Sequence, residues 1–455
     1  MKKRGCAAFC AEISLEWLSH KQKANSPLFR KKPTPNQAKE QTMLHNLFTR
    51  FLQVADSIAQ KRVYIASFML LVLLATSALF YQHANHFGDV DYHIPATILA
   101  QSHDYDLEGY GLSFVKSDEL GVLSFSHYRS AIGVQGFFYA WLHNALGLES
   151  LKPLYRLAAF FSALCLLICA FLLGKIFGRA FGIIFFLSLF TSGWVANFSG
   201  SLYFNFGFWI LPAIFALSLY RHIAIYSRGG GGNKYTIIAF CLCFTFAIAL
   251  RASMSYEFLT SIILFSLSPF VVSFLYGVLT GSQSPFLSLS VKQSFSYGLG
   301  LFILACVGFL LTFIVHTYIR GGGDLWVGLM DIYHNDFLRR MVGGSAKDFD
   351  PVYAASLNAN ALEVIRIYLS NPLMLLLLGA SIFACFLESS KSYRAFYIAL
   401  LVCFALPALS WFVLGKSHSY IHRHFCFVLW YLGFWASIIY VPICCLYRRL
   451  CHPTC

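Results

Sequence analysis

The chain has 455 residues, of which 58% are hydrophobic and 12% are charged. Soluble domains carry about 25% charged residues, so this composition excludes an ordinary soluble enzyme, a disordered regulator and a fibrous protein. The formal net charge of +14 would suit a nucleic-acid partner, but its distribution along the chain favours membrane lipids and no nucleic acid.

Long apolar runs dominate the chain, and a run of about 20 residues can cross a bilayer as a helix. The sequence therefore predicts an all-α polytopic membrane protein with about ten transmembrane helices. The predicted spans are 63–83, 154–174, 180–196, 206–220, 235–251, 256–276, 295–318, 372–388, 394–414 and 425–447.

The remaining segments divide into two tails and two large loops. Residues 1–62 form a basic tail with a possible amphipathic helix at 44–58, and 448–455 form a second tail. Between them lies the transmembrane bundle, 63–447. The two large loops of the bundle are 84–153 (the first loop) and 319–371 (the second loop). Aromatic residues mixed with polar ones at 132–148 predict an interfacial helix in the first loop.

The positive-inside rule assigns the sides of the membrane. With both ends in the cytoplasm, a majority of the lysines and arginines face the cytoplasm, and most of the acids face outward. Both large loops then lie on the extracytoplasmic side. The net positive charge then reflects the orientation of the chain in the membrane, and anionic lipid is its expected partner.

Two aspartates directly follow the first span. Asp89 and Asp91 lie in the stretch Gly-Asp-Val-Asp, about one helical turn beyond the predicted bilayer edge. A carboxylate at that depth can act as a general base at the headgroup layer, or the pair can hold a divalent ion. The alternative is a solvated loop acid.

Three further groups of cations are predicted on the same side. Arg129 precedes the interfacial helix, where it could meet a lipid phosphate or act as an anchor. Arg251 begins the short turn 251–257 (the short turn), where it lines a site or pairs with Glu257. The turn 416–424 (the cationic turn) has no acid, and its charged or protonatable candidates for phosphate binding are Lys416, His418, His422 and Arg423. Interfacial anchoring and metal binding are its alternatives.

No nucleotide or metal motif accompanies these groups. The sequence has two Gly-rich segments, 228–233 and 321–323. Neither ends in the Gly-Lys-Ser/Thr of a phosphate-cradling loop. The fourteen cysteines show no paired metal-site spacing, although Cys451 and Cys455 in the C-terminal tail could hold a metal or remain reduced thiols. We expect no cofactor, with Mg²⁺ or Mn²⁺ between Asp89 and Asp91 as the alternative.

This layout resembles the GT-C superfamily of polytopic membrane glycosyltransferases. The resemblance extends over roughly 63–447 and lies in the arrangement of spans and loops. The motif that matches is the acidic pair Asp89 and Asp91 after the first span. Only 448–455 follow the last predicted span in this sequence, so we expect no soluble outer domain there, unlike in better-known members.

The resemblance implies transfer of a sugar from a polyprenyl-phosphate donor to an acceptor hydroxyl on the extracytoplasmic face. Asp89 would be the general base, and the cations would bind the donor phosphate. The expected location is a bacterial inner membrane, and the expected partners are the lipid-linked sugar and membrane lipids. A transporter or flippase of lipid-linked sugar, and a non-enzymatic assembly protein, are the alternatives.

Overall fold

The computed structural model describes residues 62–119, 121–227, 233–281, 289–341 and 360–451. The possible amphipathic helix at 44–58 lies outside the described residues. The chain divides into two units, 73–445 and the terminal segments 1–72 with 446–455. Every contact discussed below lies within 73–445.

Helices account for nearly all of the regular structure. In chain order they are α1 (Arg62–Gln82), α2 (Gly88–Asp91), α3 (His93–Ser102), α4 (Val134–Ala145), α5 (Lys152–Phe177), α6 (Arg179–Phe190), α7 (Gly193–Gly200), α8 (Phe206–Ser227), α9 (Lys234–Met254), α10 (Leu259–Ser266), α11 (Ser268–Thr280), α12 (Val291–Arg320), α13 (Leu325–Ile332), α14 (Leu338–Met341), α15 (Ala361–Tyr368), α16 (Pro372–Leu387), α17 (Lys391–Leu414), α18 (Lys416–Ile421), α19 (Arg423–Cys426) and α20 (Phe434–Cys451). A π-helical turn, Tyr333–Phe337, joins α13 to α14, and a 3₁₀ turn, Phe427–Tyr431, precedes α20.

The long helices have the length and apolar character of membrane spans. Within the described part of the chain, six helical segments qualify by themselves, and up to nine qualify if each bent helix pair counts as one span. The described apolar part of α1, Ala66–Gln82, is shorter. A helix or helix pair occupies each of the ten predicted ranges, so the described residues form a mainly helical protein whose long apolar helices are those expected of a multi-pass membrane protein. The count of ten stays a prediction.

Three of the candidate spans are broken, which the sequence analysis did not predict. The bends are 72° between α6 and α7, 58° between α10 and α11, and 94° between α15 and α16. Pro269 and Pro372 stand in the first turn of the second helix in two of these pairs, where proline starts a helix readily. The breaks place irregular backbone and short helices inside the bundle.

The first loop is folded rather than extended. It contains α2, α3 and α4, so a helix is present within 132–148, and its location at the membrane interface stays a prediction. It also contains an antiparallel hairpin of β1 (Ser113–Ser117) and β2 (Leu123–His127), paired from Ser113 with His127 to Ser117 with Leu123. Each strand has five residues and is mostly exposed, so the alternation of Leu123 and Phe125 with serines in β2 is too short to predict the hairpin by itself.

An aromatic core packs next to the short turn. Trp209 of α8 lies 5.0 Å from Phe198 and 4.8 Å from Phe258 between ring centroids. Phe258 lies 5.1 Å from Trp411 of α17. All four side chains are buried, and aromatic burial of this kind is a large apolar contribution to packing. Phe258, the residue that follows Glu257, therefore connects α8 to α17, and Trp209 connects it to α7.

Close backbone contact fixes α4 against the rest of the first loop. A Cβ atom added at Gly136 would lie 1.7 Å from the carbonyl oxygen of Gly111. The neighbour is backbone, so a side chain there forces the two segments apart. By contrast, a Cβ at Gly300 in the middle of α12 would meet no atom within 4 Å.

We therefore expect Gly136→Ala to destabilise the protein by about 1–3 kcal/mol. Gly300→Ala is the matched control, and it should be neutral or stabilising by up to about 1 kcal/mol because alanine favours a helix. Thermal unfolding of the purified variants measures both. Equal melting temperatures for Gly136→Ala and the wild type would contradict this packing of α4.

Candidate functional site

Segments from both large loops and both turns meet at one end of the bundle. The Gly133 amide of the first loop donates to the Ser253 carbonyl of the short turn over 2.8 Å. The Ser417 hydroxyl of the cationic turn donates to the Met341 carbonyl of the second loop over 3.4 Å. These are the four segments that the charge distribution assigns to one side of the membrane.

Glu257 is the acid at the centre of this meeting point. It precedes Phe258, whose φ of 60° is a left-handed conformation that a bulky side chain rarely adopts. Glu257 is only 7% exposed, and its Oε1 lies 3.4 Å from Nε2 of His418 in the cationic turn. Its Oε2 is buried and has no hydrogen-bond partner among the described residues.

The surroundings keep Glu257 ionised. Burial by itself raises the pKa of the carboxyl, but the hydrogen bond from His418 and the positive charges of His418, Arg340 and His422 outweigh it. The resulting pKa is about 2. A buried carboxylate is stable only with such partners, so the cationic turn and the second loop depend on Glu257 as much as Glu257 depends on them.

Arg340 belongs to a second set of charges, built by the second loop. Its Nη1 lies 3.2 Å from Oδ1 of Asp336, one helical turn earlier, and Asp336 also pairs with Arg320 Nη2 at 3.3 Å. Arg320 contacts Asp331 as well. Burial lowers the pKa of Arg340, but Asp336 and Glu257 outweigh this effect and raise it. Arg340 is therefore a permanent cation, and its side chain is only 13% exposed.

Two tyrosines connect this cluster to the acids after the first span. The Tyr128 and Tyr203 hydroxyls lie 3.1 Å apart, and burial and then the charge of Glu257 raise the pKa of both phenols. The Tyr203 amide donates to Asp91 Oδ1 over 3.0 Å. Tyr203 thus lies between Asp91 and Glu257. We call Glu257, His418, His422, Arg340, Asp336 and Arg320 the polar cluster.

The two predicted catalytic aspartates lie in α2. Asp91 is fully buried, and its Oδ1 accepts hydrogen bonds from the Ser201 hydroxyl at 2.6 Å and from Tyr203. These bonds join α2 to the bend that follows α7, so Asp91 has a clear structural role. The backbone of Asp89 is helical, and its side chain lies outside the described part of the structure.

Arg251 is fully buried and bound to the main chain. Its Nη1 donates to the Ser255 carbonyl at 3.0 Å, and its Nη2 donates to the Glu257 carbonyl at 2.9 Å. The guanidinium also lies 5.6 Å from the centroid of the Trp209 ring, within cation–π range. These contacts hold the backbone of the short turn in place rather than presenting a cation for a phosphate.

The other predicted binding residues lie around the polar cluster. His422 lies 4.5 Å from His418 between ring centroids, so the structure brings these two together beside Glu257. Lys416 is half-buried. Arg423 is exposed, and its guanidinium lies 4.5 Å from the centroid of the Tyr420 ring. Arg129 is exposed, and its carbonyl accepts a hydrogen bond from His316 Nε2 at 3.1 Å.

An aromatic contact links the cationic turn to α2. Phe425 of α19 packs edge-on against Phe87, the residue that precedes α2, with 6.2 Å between ring centroids. His422 stacks on the same Phe425 ring at 4.6 Å. The predicted base and the predicted phosphate-binding turn are therefore parts of neighbouring segments.

Sequence reasoning missed the central acid and the whole contribution of the second loop. The sequence pattern presents Glu257 only as an ion-pair partner for Arg251. Asp336 and Arg340 are four residues apart, and this spacing predicts an ion pair on one helical face. Their burial beside Glu257 depends on contacts distant in sequence. Among the described residues, no group of three or more His, Cys, Asp or Glu side chains is arranged to hold a metal ion.

A scan against models of protein families found no match for this sequence, and a search of curated protein sequences found none either.

The depressed pKa of Glu257 makes the stability depend on acid pH. The folded pKa of about 2 lies below the ordinary value of 4.5, so this carboxylate stabilises the fold fully above pH 4.5 and loses its contribution as the pH falls toward 2. We expect Glu257→Gln to be less stable than the wild type at pH 7. The difference in melting temperature between the two proteins should narrow steadily below pH 4.5. Thermal unfolding from pH 7 to pH 2.5 measures this. A difference in melting temperature that does not change with pH would contradict an ionised Glu257.

Proposed function

We propose that the chain is a membrane glycosyltransferase that moves a sugar from a polyprenyl-phosphate donor to an acceptor hydroxyl. It would do so on the extracytoplasmic face, with ten spans and both ends in the cytoplasm, and its location would be a bacterial inner membrane. The proposal keeps Asp89 as the general base. The lipid-linked sugar and the surrounding membrane lipids are its partners.

One observation carries this proposal. Loop segments that the charge pattern assigns to the same side converge, and they bring Arg340, His418 and His422 around Glu257. The same segments adjoin α2 through Phe87 and Phe425. A cation-rich cluster beside an acid-bearing helix suits a reaction that creates a negative phosphate and releases a proton.

The chemistry assigns a role to each group. The acceptor hydroxyl attacks the anomeric carbon, and a new carbon–oxygen bond forms as the bond from that carbon to the phosphate oxygen breaks. The hydroxyl proton passes to Asp89. The phosphate leaves with the bonding electrons, and Lys416, His418, His422 and Arg423, with Arg129 nearby, stabilise its charge. One well-placed donor of this kind is worth about 3 kcal/mol in a transition state.

We assign Asp91 and Arg251 to positioning in this scheme. Asp91 holds α2, which carries Asp89, onto the Ser201–Tyr203 backbone. Arg251 holds the carbonyls around Glu257. Neither needs a metal ion for these roles, and a Mg²⁺ or Mn²⁺ ion bridging Asp89 and Asp91 stays an alternative that metal titration can test.

The three bent helix pairs favour a second candidate, a transporter or flippase of lipid-linked sugar. Discontinuous spans line the binding sites of many transporters, because they expose backbone groups inside the bundle. The 72° bend between α6 and α7 lies before the short helix α7, and Ser201, which binds Asp91, follows the end of α7. A flippase would bind the same lipid but would release it unchanged on the other side.

Asp89→Asn tests the transferase directly. It preserves size and polarity but removes basicity, so we expect a loss of about 10²–10⁴-fold in transfer rate. The assay follows labelled sugar from native lipids to product in membranes that contain each variant. Asp104→Asn is the matched control, because Asp104 is an exposed acid of the same loop whose φ of 54° also suits asparagine.

Two outcomes would contradict the proposal in different ways. Full transfer by Asp89→Asn, with Asp104→Asn also active, would remove Asp89 from the role of base. If wild-type protein in reconstituted vesicles forms no product but moves the lipid-linked sugar between leaflets, the chain is a flippase.

A further inference from the structure

The polar cluster contains buried side-chain atoms without a hydrogen-bond partner among the described residues, and two of them are of opposite character. Oε2 of Glu257 is an acceptor and Nε of Arg340 is a donor, and both are buried and unpartnered among the described residues. A third, Oδ2 of Asp336, is instead compensated by its ion pair with Arg320. Orphaned buried polar atoms are uncommon because each loses its hydration without compensation. Here an acceptor and a donor are orphaned together.

The two atoms belong to different segments that approach each other. Glu257 stands in the short turn before α10, and Arg340 stands in α14 of the second loop. Each contributes to the electrostatic environment of the other. Both are held by their remaining atoms, Glu257 Oε1 by His418 and Arg340 Nη1 by Asp336. The orphaned atoms are therefore fixed in position.

The neighbouring groups are suited to a neutral polar ligand. The Glu257 charge is already balanced by Arg340, His418 and His422. The Tyr128 and Tyr203 hydroxyls add groups that both donate and accept. A second full charge would disturb this balance, whereas a hydroxyl can donate to a carboxylate and accept from a guanidinium.

We infer that Glu257 and Arg340 form a subsite for the hydroxyl groups of a carbohydrate, with Oε2 accepting from one hydroxyl and Nε donating to an oxygen of the same ligand. This inference rests on the proposed function, because it names the part of the lipid-linked substrate that these residues bind. It assigns them to recognition of the sugar and leaves the phosphate to the cationic turn.

Glu257 acts here as a binding group rather than as a base. A general base works best with a pKa near the working pH, and the pKa of Glu257 is about 2. A carboxylate that stays ionised is instead a strong acceptor for a hydroxyl. Sites built to bond a hydroxyl reject analogues that lack it, so the subsite would give selectivity between lipids with and without a sugar.

The test is a binding measurement on the purified full chain in lipid nanodiscs. The probes are a polyprenyl-phosphate hexose, the same polyprenyl phosphate without sugar, and the free hexose. The test variants are Glu257→Gln, which keeps size, and Arg340→Lys, which keeps the charge facing Asp336 but removes the Nε donor. Glu388→Gln is the matched control, since Glu388 is also buried at 4% exposure and its Oε1 accepts from the Ser390 amide.

We expect the wild type to bind the sugar-bearing lipid more tightly than the bare lipid phosphate. Each test variant should lose about tenfold more affinity for the sugar-bearing lipid than for the bare lipid phosphate, because only the sugar makes the hydroxyl contacts. Glu388→Gln should match the wild type for both lipids. Thermal unfolding of each variant shows that it is folded, and Arg340→Lys serves if Glu257→Gln does not fold.

The remaining outcomes separate this subsite from the proposed function. Equal binding of the two lipids by the wild type, or a sugar preference that both variants retain, overturns the subsite and leaves a lipid-phosphate protein. Binding of the free hexose that depends on Glu257, without binding of either lipid, supports the subsite and overturns the polyprenyl-phosphate donor. Binding of none of the three probes overturns both.

Discussion

The burial of one negative charge, that of Glu257, organises this end of the molecule. A carboxylate removed from water is strongly unfavourable unless cations and hydrogen bonds surround it. His418 lies 3.4 Å away, and Arg340 and His422 add positive charge. These cations come from the second loop and the cationic turn, which are distant from Glu257 in sequence. Satisfying the charge therefore requires these segments to assemble.

This assembly links the charges to the acids that follow the first span. Tyr203 contacts Asp91 through its amide and Tyr128 through its hydroxyl, and Phe87 packs on Phe425. As a result, α2 is packed against the segment that follows the cationic turn. A reaction that needs a base and a phosphate-binding group at a fixed separation would benefit from this packing, because misplacement lowers the rate steeply.

The sequence predicted the helical segments well because an apolar run is a local signal, and a helix or helix pair occupies each predicted range. It also identified the cationic turn, whose charges are adjacent. It did not identify the hairpin, whose exposed strands carry no strong pattern, or the three helix breaks. It could not show that Arg251 binds backbone carbonyls or that Glu257 faces His418. Those facts depend on pairing between remote segments.

His418 and Glu257 are energetically coupled in this assembly, and a double-mutant cycle measures the coupling directly. The free energies of unfolding of Glu257→Gln, His418→Asn and the double variant would be compared with the wild type at pH 7. We expect a coupling of about 1–3 kcal/mol, because each single variant removes the same buried interaction. The cycle of Glu388→Gln with His418→Asn should be additive. Additivity within about 0.5 kcal/mol for Glu257 and His418 as well would contradict the account.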